Sequence, residues 1–339
     1  MPEPITSILV VGPAWVGDMV IAQSLFKTLR RMNPECGIDV LAPRWTLPLL
    51  RFMPEVRNGI ELPLGHGELG LRVRYRLGRA LRRKGYDLAI VLPRSLKAAL
   101  VPFWARIPRR VGYRGEMRWG VLTDLRRLDP KRTPRQAEQF IALALPRDDP
   151  PPSDVPVPQL TVPTGAGEAV LAALGLARPE RPLLVLAPGA EFGPAKRWPA
   201  ESFAELARRK AQAGWAVWIL GSPRDAEVAA QVQGGSGGVC VDLTGHTTLD
   251  QAVALIGLAD AVVSNDSGLM HIAAALGRRQ VALFGPSDPA KTGPLNDKAR
   301  VVTRSLSCSP CHRRTCPLGH HDCLRGIEPG RVLEALDAP

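Results

Sequence analysis

No stretch of the sequence approaches the roughly 18 consecutive apolar residues that a bilayer-spanning helix needs. The first apolar segment, Ile8–Val11, is short, and it follows Met1–Ser7, which contains Glu3 and two prolines. A secretory signal peptide has a basic start and a longer apolar core, so this beginning is not typical of one. We therefore expect a cytoplasmic protein.

Aromatic and acidic residues are both scarce. The 339 residues include only three tyrosines and seven phenylalanines, and 44 basic against 32 acidic residues give a net charge of +12. Such a surplus indicates an anionic partner, either nucleic acid, an anionic membrane face or a phosphorylated substrate. Platforms for single-stranded nucleic acid add stacking aromatic residues to the basic ones, and the basic segments here have too few. A nucleic-acid-binding protein is therefore a distant alternative, and we expect no nucleic-acid partner.

Short β-branched runs alternate with helical patterns along the chain, which is typical of parallel sheets covered by helices on both faces. The strands predicted in the first half are Ile8–Gly12, Ile38–Leu41, Gly59–Leu62, Leu88–Leu92 and Arg110–Tyr113. The same rhythm resumes with Leu183–Ala187, Trp215–Leu220, Cys240–Leu243, Ala261–Asn265 and Gln280–Phe284. The pattern predicts an α/β fold with two Rossmann-like, doubly wound domains.

A proline-rich stretch separates the two halves, and proline at this density can neither continue a helix nor pair in a central strand. We predict an N-terminal domain over residues 1–150, a linker over 151–165 and a C-terminal domain over 166–339. The length of the chain also favours two domains. A terminal helix at about Pro329–Leu336 is expected to pack back on the first domain.

Open α/β sheets bind ligands beyond the carboxyl ends of their strands, so the loops after the strands are the candidate sites. The first such loop, Gly12–Asp18, has its two glycines five residues apart with no third glycine following, and no acidic residue closes the second strand. This pattern argues against a nicotinamide-dependent oxidoreductase. Asp18 stands at the start of a predicted helix, where it is either a helix-stabilising acid or a functional carboxylate.

Two loops in the second half have the composition of anion sites. Ala187–Pro199 combines glycines and prolines with the basic pair Lys196-Arg197, a rigid setting that suits a diphosphate leaving group. Ser264–His271 places small polar residues at a strand-to-helix turn, where main-chain N–H groups bind anions. Singly, Asp266 could be a helix cap and His271 a core histidine. Together, the loops favour group transfer from a nucleotide sugar.

Four cysteines lie close together near the end, at Cys308, Cys311, Cys316 and Cys323, with three histidines nearby. Their density is that of a structural zinc site, although the spacing differs from paired knuckles. Disulfides are not expected in the cytosol. A structural zinc ion and reduced, packed thiols remain as alternatives.

Several motifs resemble one known family. They are ILVVGPAWVGDMVIAQSLFKTLR from Ile8, PLGHG (63–67), GYRGEMRWG (112–120), APGAEFGPAKRWP (187–199) and VSNDSGLMHIAAALG (263–277). The sequence resembles the ADP-heptose:lipopolysaccharide heptosyltransferases of glycosyltransferase family 9, most closely those of the heptosyltransferase II type. The resemblance runs from about residue 8 to residue 304. It implies the GT-B fold, in which the two domains face each other across a cleft.

The resemblance also implies an inverting displacement that requires no cofactor. Asp18 would act as the general base on an acceptor hydroxyl, and Lys196 would neutralise the charge on the departing ADP. The implied donor-binding residues are Gly189, Ala190, Glu227, Asp266, Ser267, Gly268 and His271. The C-terminal domain would bind ADP-heptose.

The implied acceptor is the phosphorylated lipid A core at the inner membrane face, bound by the N-terminal domain. Basic residues near predicted strand ends are its candidate anchors: Arg94, Lys97, Arg114 and Arg118. The same charge could bring the enzyme into peripheral contact with the membrane. Heptosyltransferase I, or another ADP-sugar transferase of the family, remains an alternative, because the donor loops would serve all of them.

Overall fold

The computed structural model describes residues 5–147, 149–150 and 154–338 of the chain. The chain divides into two compact units, Met1–Pro158 and Gln159–Pro339. The boundary lies inside the proline-rich stretch, whose described residues 154–163 form neither helix nor strand. Residues 151–153 of the predicted linker lie outside the described part of the chain.

The first unit contains one parallel six-stranded sheet. Its strands are β1 (Ser7–Val11), β2 (Gly37–Pro43), β3 (Val56–Leu62), β4 (Leu88–Val91), β5 (Arg109–Tyr113) and β6 (Asp124–Arg126). Its helices are α1 (Val16–Met32), α2 (Leu71–Leu81), α3 (Leu96–Trp104) and α4 (Gln136–Ala142), with short 3-10 helices at Leu47–Phe52 and Arg82–Lys84. The strand order β3-β2-β1-β4-β5-β6 reverses between β1 and β4. Both of these central strands are buried along their whole length, as expected where helices cover both faces.

The second unit repeats this architecture. Its strands are β7 (Leu183–Ala187), β8 (Ala216–Ile219), β9 (Cys240–Asp242), β10 (Ala261–Asn265), β11 (Arg279–Phe284) and β12 (Ala299–Thr303). Its longer helices are α5 (Ala166–Ala173), α6 (Ala200–Gln212), α7 (Ala226–Gly235), α8 (Leu249–Ile256), α9 (Gly268–Ala275) and α12 (Pro329–Asp337). Shorter ones are α10 (Pro289–Thr292), α11 (Asp322–Arg325) and 3-10 helices at Pro194–Lys196 and Pro223–Asp225. The order β12-β11-β10-β7-β8-β9 reverses between β10 and β7.

The predicted α/β class with two parallel, doubly wound sheets is confirmed, and every predicted strand is present. Two strands were not predicted, β6 and β12. Both lie at a sheet edge. No residue of β6 is fully buried, and in β12 only Val302 is, so neither shows the apolar run that marks a central strand.

The terminal helix α12 packs on the second unit, which corrects the expectation that it returns to the first. Val332 and Leu336 are buried in the same core as Phe203 of α6. The ammonium of Lys210 lies 2.5 Å from Asp337 Oδ1 and fixes the end of α12 to α6. No helix within the described residues is long and apolar enough to cross a membrane.

Candidate active site

The loop after β1 lies at the carboxyl edge of the first sheet, where the strand order reverses. Gly12 N donates a hydrogen bond to Leu41 O at 2.9 Å, and Trp45 Nε1 donates one to Ala14 O at 2.7 Å. These bonds hold the loop against β2 and the segment that follows it. Asp18 is half-buried in the first turn of α1, where the helix dipole stabilises its carboxylate. Asp18 therefore occupies the edge at which open α/β sheets bind ligands.

An aromatic contact at this edge was not predicted. The rings of Trp15 and His66 lie 5.7 Å apart between centroids, and Trp15 is 38% exposed. His66 belongs to the PLGHG motif, which follows β3 and was noted in the sequence without a role for any of its residues. The contact joins the loop next to Asp18 to the loop after β3.

Three of the predicted acceptor residues follow β4 and β5 at the same edge. Arg94 and Arg114 are exposed, and the guanidinium carbon of Arg114 lies 5.5 Å from the ring centroid of Trp119. Lys97 is half-buried, and its ammonium donates to Gly67 O at 2.7 Å. The first sheet therefore presents positive charge at the edge where Asp18 lies.

Arg118 is placed differently from the prediction, because its side chain is fully buried. Its guanidinium donates to the main-chain oxygen of Pro93 at 2.7 Å and to that of Tyr113. Burial lowers the pKa of Arg118 to about 10, which leaves it charged at neutral pH. A side chain closed off from solvent does not reach an acceptor, so we correct the role of Arg118 to positioning the segments that follow β4 and β5.

In the second unit, Asn265 connects the two strands at which the sheet order reverses. It is the last residue of β10 and is fully buried. Its Nδ2 donates to Pro188 O at 2.7 Å, and its Oδ1 accepts from Trp198 N at 2.9 Å. Asn265 therefore holds both ends of the loop after β7. Trp198 is itself buried and donates through Nε1 to Ile327 O at 2.9 Å.

The hydrogen bonds of Asn265 hold the loop after β7 in a position where two of the predicted residues, Lys196 and Asp266, meet. The ammonium of Lys196 lies 2.5 Å from Asp266 Oδ2, and the two side chains are 16% and 7% exposed. The hydroxyl of Ser287, in the loop after β11, donates to the same carboxylate oxygen. Lys196 also lies 4.9 Å from the ring centroid of Phe192. The contacts from Lys196 and Ser287 both fall on Oδ2 of the Asp266 carboxylate.

The N-terminus of α9 directly follows this pair. Ser267 is the N-cap residue and Gly268 begins the helix, whose first main-chain N–H groups have no partner within the helix. His271 is buried in the same turn. Burial lowers the pKa of His271 to about 4, although Asp266 acts in the opposite direction, so the imidazole is neutral at pH 7. It can act as a hydrogen-bond partner there, but not as a cation.

The loops after β7 and β8 are in close contact. A Cβ atom at Gly189 would lie 2.3 Å from Asp225 Cγ, so only glycine allows this approach. Ala190 is buried and offers a ligand only its main chain. Glu227 lies exposed in the first turn of α7. Sequence reasoning did not identify Asp225, which accepts from Ser222 N at 3.0 Å and packs against the loop after β7 at Gly189.

The four clustered cysteines are half-buried, and none of them forms a disulfide within the described residues. Among the described residues, no group of three or more His, Cys, Asp or Glu side chains has a geometry that could hold a metal ion, so the structure does not support the zinc prediction. Burial and the nearby thiols of Cys308, Cys311 and Cys316 raise the pKa of Cys323, so the four thiols lie near one another. Main-chain N–H groups of residues 318–321 surround Cys316, and Cys323 Sγ would lie 3.0 Å from a Cβ added at Gly285.

Comparison with known proteins identifies the family to which the chain is similar. The family model for glycosyltransferase family 9 (heptosyltransferase) matches residues 74–321. Lipopolysaccharide heptosyltransferase 2 of Escherichia coli is 47% identical over 340 residues, which cover 98% of this chain and 97% of the relative. Lipooligosaccharide heptosyltransferase 2 of Haemophilus influenzae is 45% identical over 98% of both chains.

The structural comparison gives the same result. The structure of E. coli ADP-heptose lps heptosyltransferase II superimposes with a TM-score of 0.87 at 44% identity, covering 98% of each chain. The fold is accordingly that of a GT-B glycosyltransferase, which confirms the predicted class. The sequence resemblance is confirmed as well: the chain belongs to glycosyltransferase family 9, the heptosyltransferases.

Proposed function

We propose that the protein is an inverting glycosyltransferase that moves L-glycero-D-manno-heptose from ADP-heptose to the first heptose of the lipopolysaccharide inner core. Full-length similarity to proteins named heptosyltransferase 2 supports this choice over the first heptosyl transfer. The observation that carries the proposal is the convergence of Lys196, Asp266 and the α9 N-terminus at the reversal point of the second sheet.

The second unit is assigned the donor. Main-chain N–H groups at Gly268 and beyond bind the diphosphate, as helix N-termini do. An ammonium has three N–H donors, so Lys196 keeps its bond to Asp266 and still donates to a phosphate oxygen. Asp266 accepts from heptose hydroxyls, and His271 contacts the diphosphate as a neutral group. Gly189 and Ala190 contribute main-chain groups, and Glu227 contacts the nucleoside.

Transfer is a direct displacement at the anomeric carbon. Asp18 accepts the proton of the acceptor hydroxyl as that oxygen attacks, and ADP departs from the opposite face of the sugar. A carboxylate is a weak base, but in an oxocarbenium-like transition state the hydroxyl becomes acidic late, so a well-placed weak base suffices. Most of the acceleration comes from positioning and from the positive charge at the leaving group. The reaction requires no cofactor.

The first unit is assigned the acceptor, the phosphorylated lipid A core. Arg94 and Arg114 are exposed at the edge where Asp18 lies, and Lys97 is half-buried there. A guanidinium pairs with carboxylate or phosphate through two parallel hydrogen bonds. These residues therefore suit an inner core that carries both groups.

We place the enzyme in the cytoplasm, in peripheral contact with the anionic membrane face. Arg72, Arg76, Arg79 and Arg83 form an exposed row along α2 and just beyond it, next to Tyr75, which is 43% exposed. Basic residues near an anionic surface contribute about 1 kcal/mol each to binding. Vesicles with phosphatidylglycerol should sediment the protein, and charge reversal of Arg72, Arg76 and Arg79 should release it. Equal sedimentation with neutral vesicles would contradict this contact.

The activity is tested by offering ADP-heptose with lipid A cores that carry two Kdo sugars, either with or without one heptose. The proposal predicts ADP release and heptose transfer only with the heptose-bearing core. Transfer to the heptose-free core would instead make the protein the first heptosyltransferase. Absence of ADP release with both acceptors would refute glycosyl transfer.

A further inference from the structure

The cysteine-rich segment, residues 308–323, is attached to the loops that carry the candidate donor site. Arg314 O accepts a hydrogen bond from Ala195 N at 3.1 Å, directly beside Lys196. His312 N donates to Pro286 O at 2.7 Å, next to Ser287, and Ser309 Oγ donates to Gly285 O at 2.7 Å. The segment therefore joins the loop after β7 to the loop after β11, the two loops whose side chains meet on Asp266.

The main chain of Arg314 approaches the loop after β7 so closely that the facing residue of the loop, Gly193, must be glycine. A Cβ atom at Gly193 would lie 2.6 Å from Arg314 O, and Gly193 has a φ of +154°. A larger residue at this position would push the loop after β7 away from the segment. The main chain of Arg314 is thus fixed relative to Lys196 before any ligand binds.

The side chain of Arg314 shares an aromatic ring with Lys196. Its guanidinium carbon lies 5.3 Å from the ring centroid of Phe192, and the ammonium of Lys196 lies 4.9 Å from the same centroid. Arg314 is exposed, and none of the ion pairs found within the described residues involves it. Lys196, in contrast, is paired with Asp266. Of the two cations at the Phe192 ring, Lys196 is neutralised by a carboxylate and Arg314 is not.

We propose that Arg314 is a second cation of the donor site and binds the diphosphate of the nucleotide sugar. The proposal rests on the function proposed above, which gives the second unit an ADP-sugar donor. Phe192 holds both cations by cation–π contact, and a guanidinium offers a planar pair of donors that matches phosphate geometry. The cysteine-rich segment would then contribute to donor binding by positioning Arg314, and this contribution requires no metal ion.

The two cations are not equivalent in charge. The Lys196–Asp266 pair is neutral as a unit, so Lys196 contributes hydrogen-bond donors with little net charge. Arg314 contributes the net positive charge that the departing diphosphate requires, and this charge stabilises the leaving group as the bond to the sugar breaks. Its side chain reaches the site from a segment more than a hundred residues beyond Lys196 in the chain.

The test compares the affinities of ADP and AMP, measured by titration calorimetry, for wild type, Arg314→Ala, Arg314→Lys and Arg313→Ala. Arg313 is the neighbouring exposed arginine and serves as the matched control. Arg314→Ala should weaken ADP binding about tenfold or more and AMP binding much less, because AMP lacks the second phosphate. Arg314→Lys should restore part of the loss, and Arg313→Ala should bind both nucleotides within about twofold of wild type.

Unchanged ADP affinity in Arg314→Ala would overturn the inference, and so would an equal loss of ADP and AMP affinity, which is the signature of a merely structural role. The truncation keeps the Arg314 O to Ala195 N bond, so the segment is expected to remain in place. Wild-type heptose transfer is measured alongside. If wild type transfers heptose and Arg314→Ala behaves as wild type, only the inference fails, whereas absence of wild-type transfer would refute the proposed function itself.

Discussion

Lys196 and Asp266 form an ion pair of 2.5 Å although 70 residues separate them in the chain. Lys196 is delivered by the loop after β7, and Asp266 directly follows β10, the strand next to β7 in the sheet. The pair exists because β7 and β10 are parallel neighbours, so their carboxyl-end loops lie side by side, at the point where the strand order reverses. The central contact of the proposed donor site is thus a consequence of the sheet topology.

The energetic coupling within this pair should be measurable in a double-mutant cycle. Lys196→Met and Asp266→Asn should each destabilise the protein, because each leaves a partly buried polar group without its partner. We expect a coupling energy of about 1–3 kcal/mol from urea unfolding of the single and double variants. The exposed pair Arg178–Glu168, with side chains 60% and 50% exposed, is the control and should couple by less than about 1 kcal/mol. Equal coupling in both pairs would contradict the account.

Stability should fall on acidification because of His271. Its pKa is about 4 in the folded protein against an ordinary 6.5, so below pH 6.5 the unfolded chain gains a proton that the folded protein does not accept. The stabilisation is fully present above pH 6.5 and is lost as the pH falls towards 4. From neutral pH to about pH 5 the loss is about 2 kcal/mol.

The measurement is urea unfolding across this pH range for wild type, His271→Gln and His246→Gln. His271→Gln should lose less stability than wild type on acidification. The exposed His246 is the control, and its replacement should keep the wild-type slope. Identical slopes in all three proteins would show that His271 titrates normally.

Replacement of Arg118 should lower stability, whereas replacement of Arg114 should weaken acceptor binding. Arg118→Ala leaves the carbonyls of Pro93 and Tyr113 without their buried donor, and we expect it to lower the free energy of unfolding by about 3 kcal/mol. Arg114 is exposed, and Arg114→Ala should change stability by no more than about 0.5 kcal/mol while raising the KM for the acceptor. Thermal unfolding and steady-state kinetics distinguish the two. A stable Arg118→Ala with a raised acceptor KM would restore Arg118 as a ligand contact.

The sequence predicted the central strands because each is an apolar run that both sheet faces bury, as in β1 and β7. It also predicted that Lys196 and Asp266 belong to loops that follow such strands, and the structure pairs their side chains. The edge strands β6 and β12 were not predicted, because a short, partly exposed strand does not require an apolar run. The burial of Arg118 was not predicted either. The sequence alone does not distinguish an arginine that hydrogen-bonds to buried carbonyls from one that binds a ligand.

Long-range packing was the least predictable feature. Val332 and Leu336 of α12 are buried in the core of the second unit. The sequence of the helix shows that these residues are apolar but not which core they join. The density of the cysteines left a zinc site and reduced, packed thiols as alternatives, and it did not predict the hydrogen bonds that hold the segment to the loops after β7 and β11. Arg314 has no motif of its own, and only its contact with Phe192 identifies it.

The most direct test of the account separates donor binding from acceptor activation in a single variant, Asp18→Asn. The change removes the proposed base while keeping the size of the side chain. We predict an ADP affinity within about twofold of wild type and a fall of about 10²-fold or more in kcat for heptose transfer to the heptose-bearing core. Transfer at the wild-type rate by a folded Asp18→Asn variant would contradict the assignment of Asp18 as the base and with it the proposed mechanism.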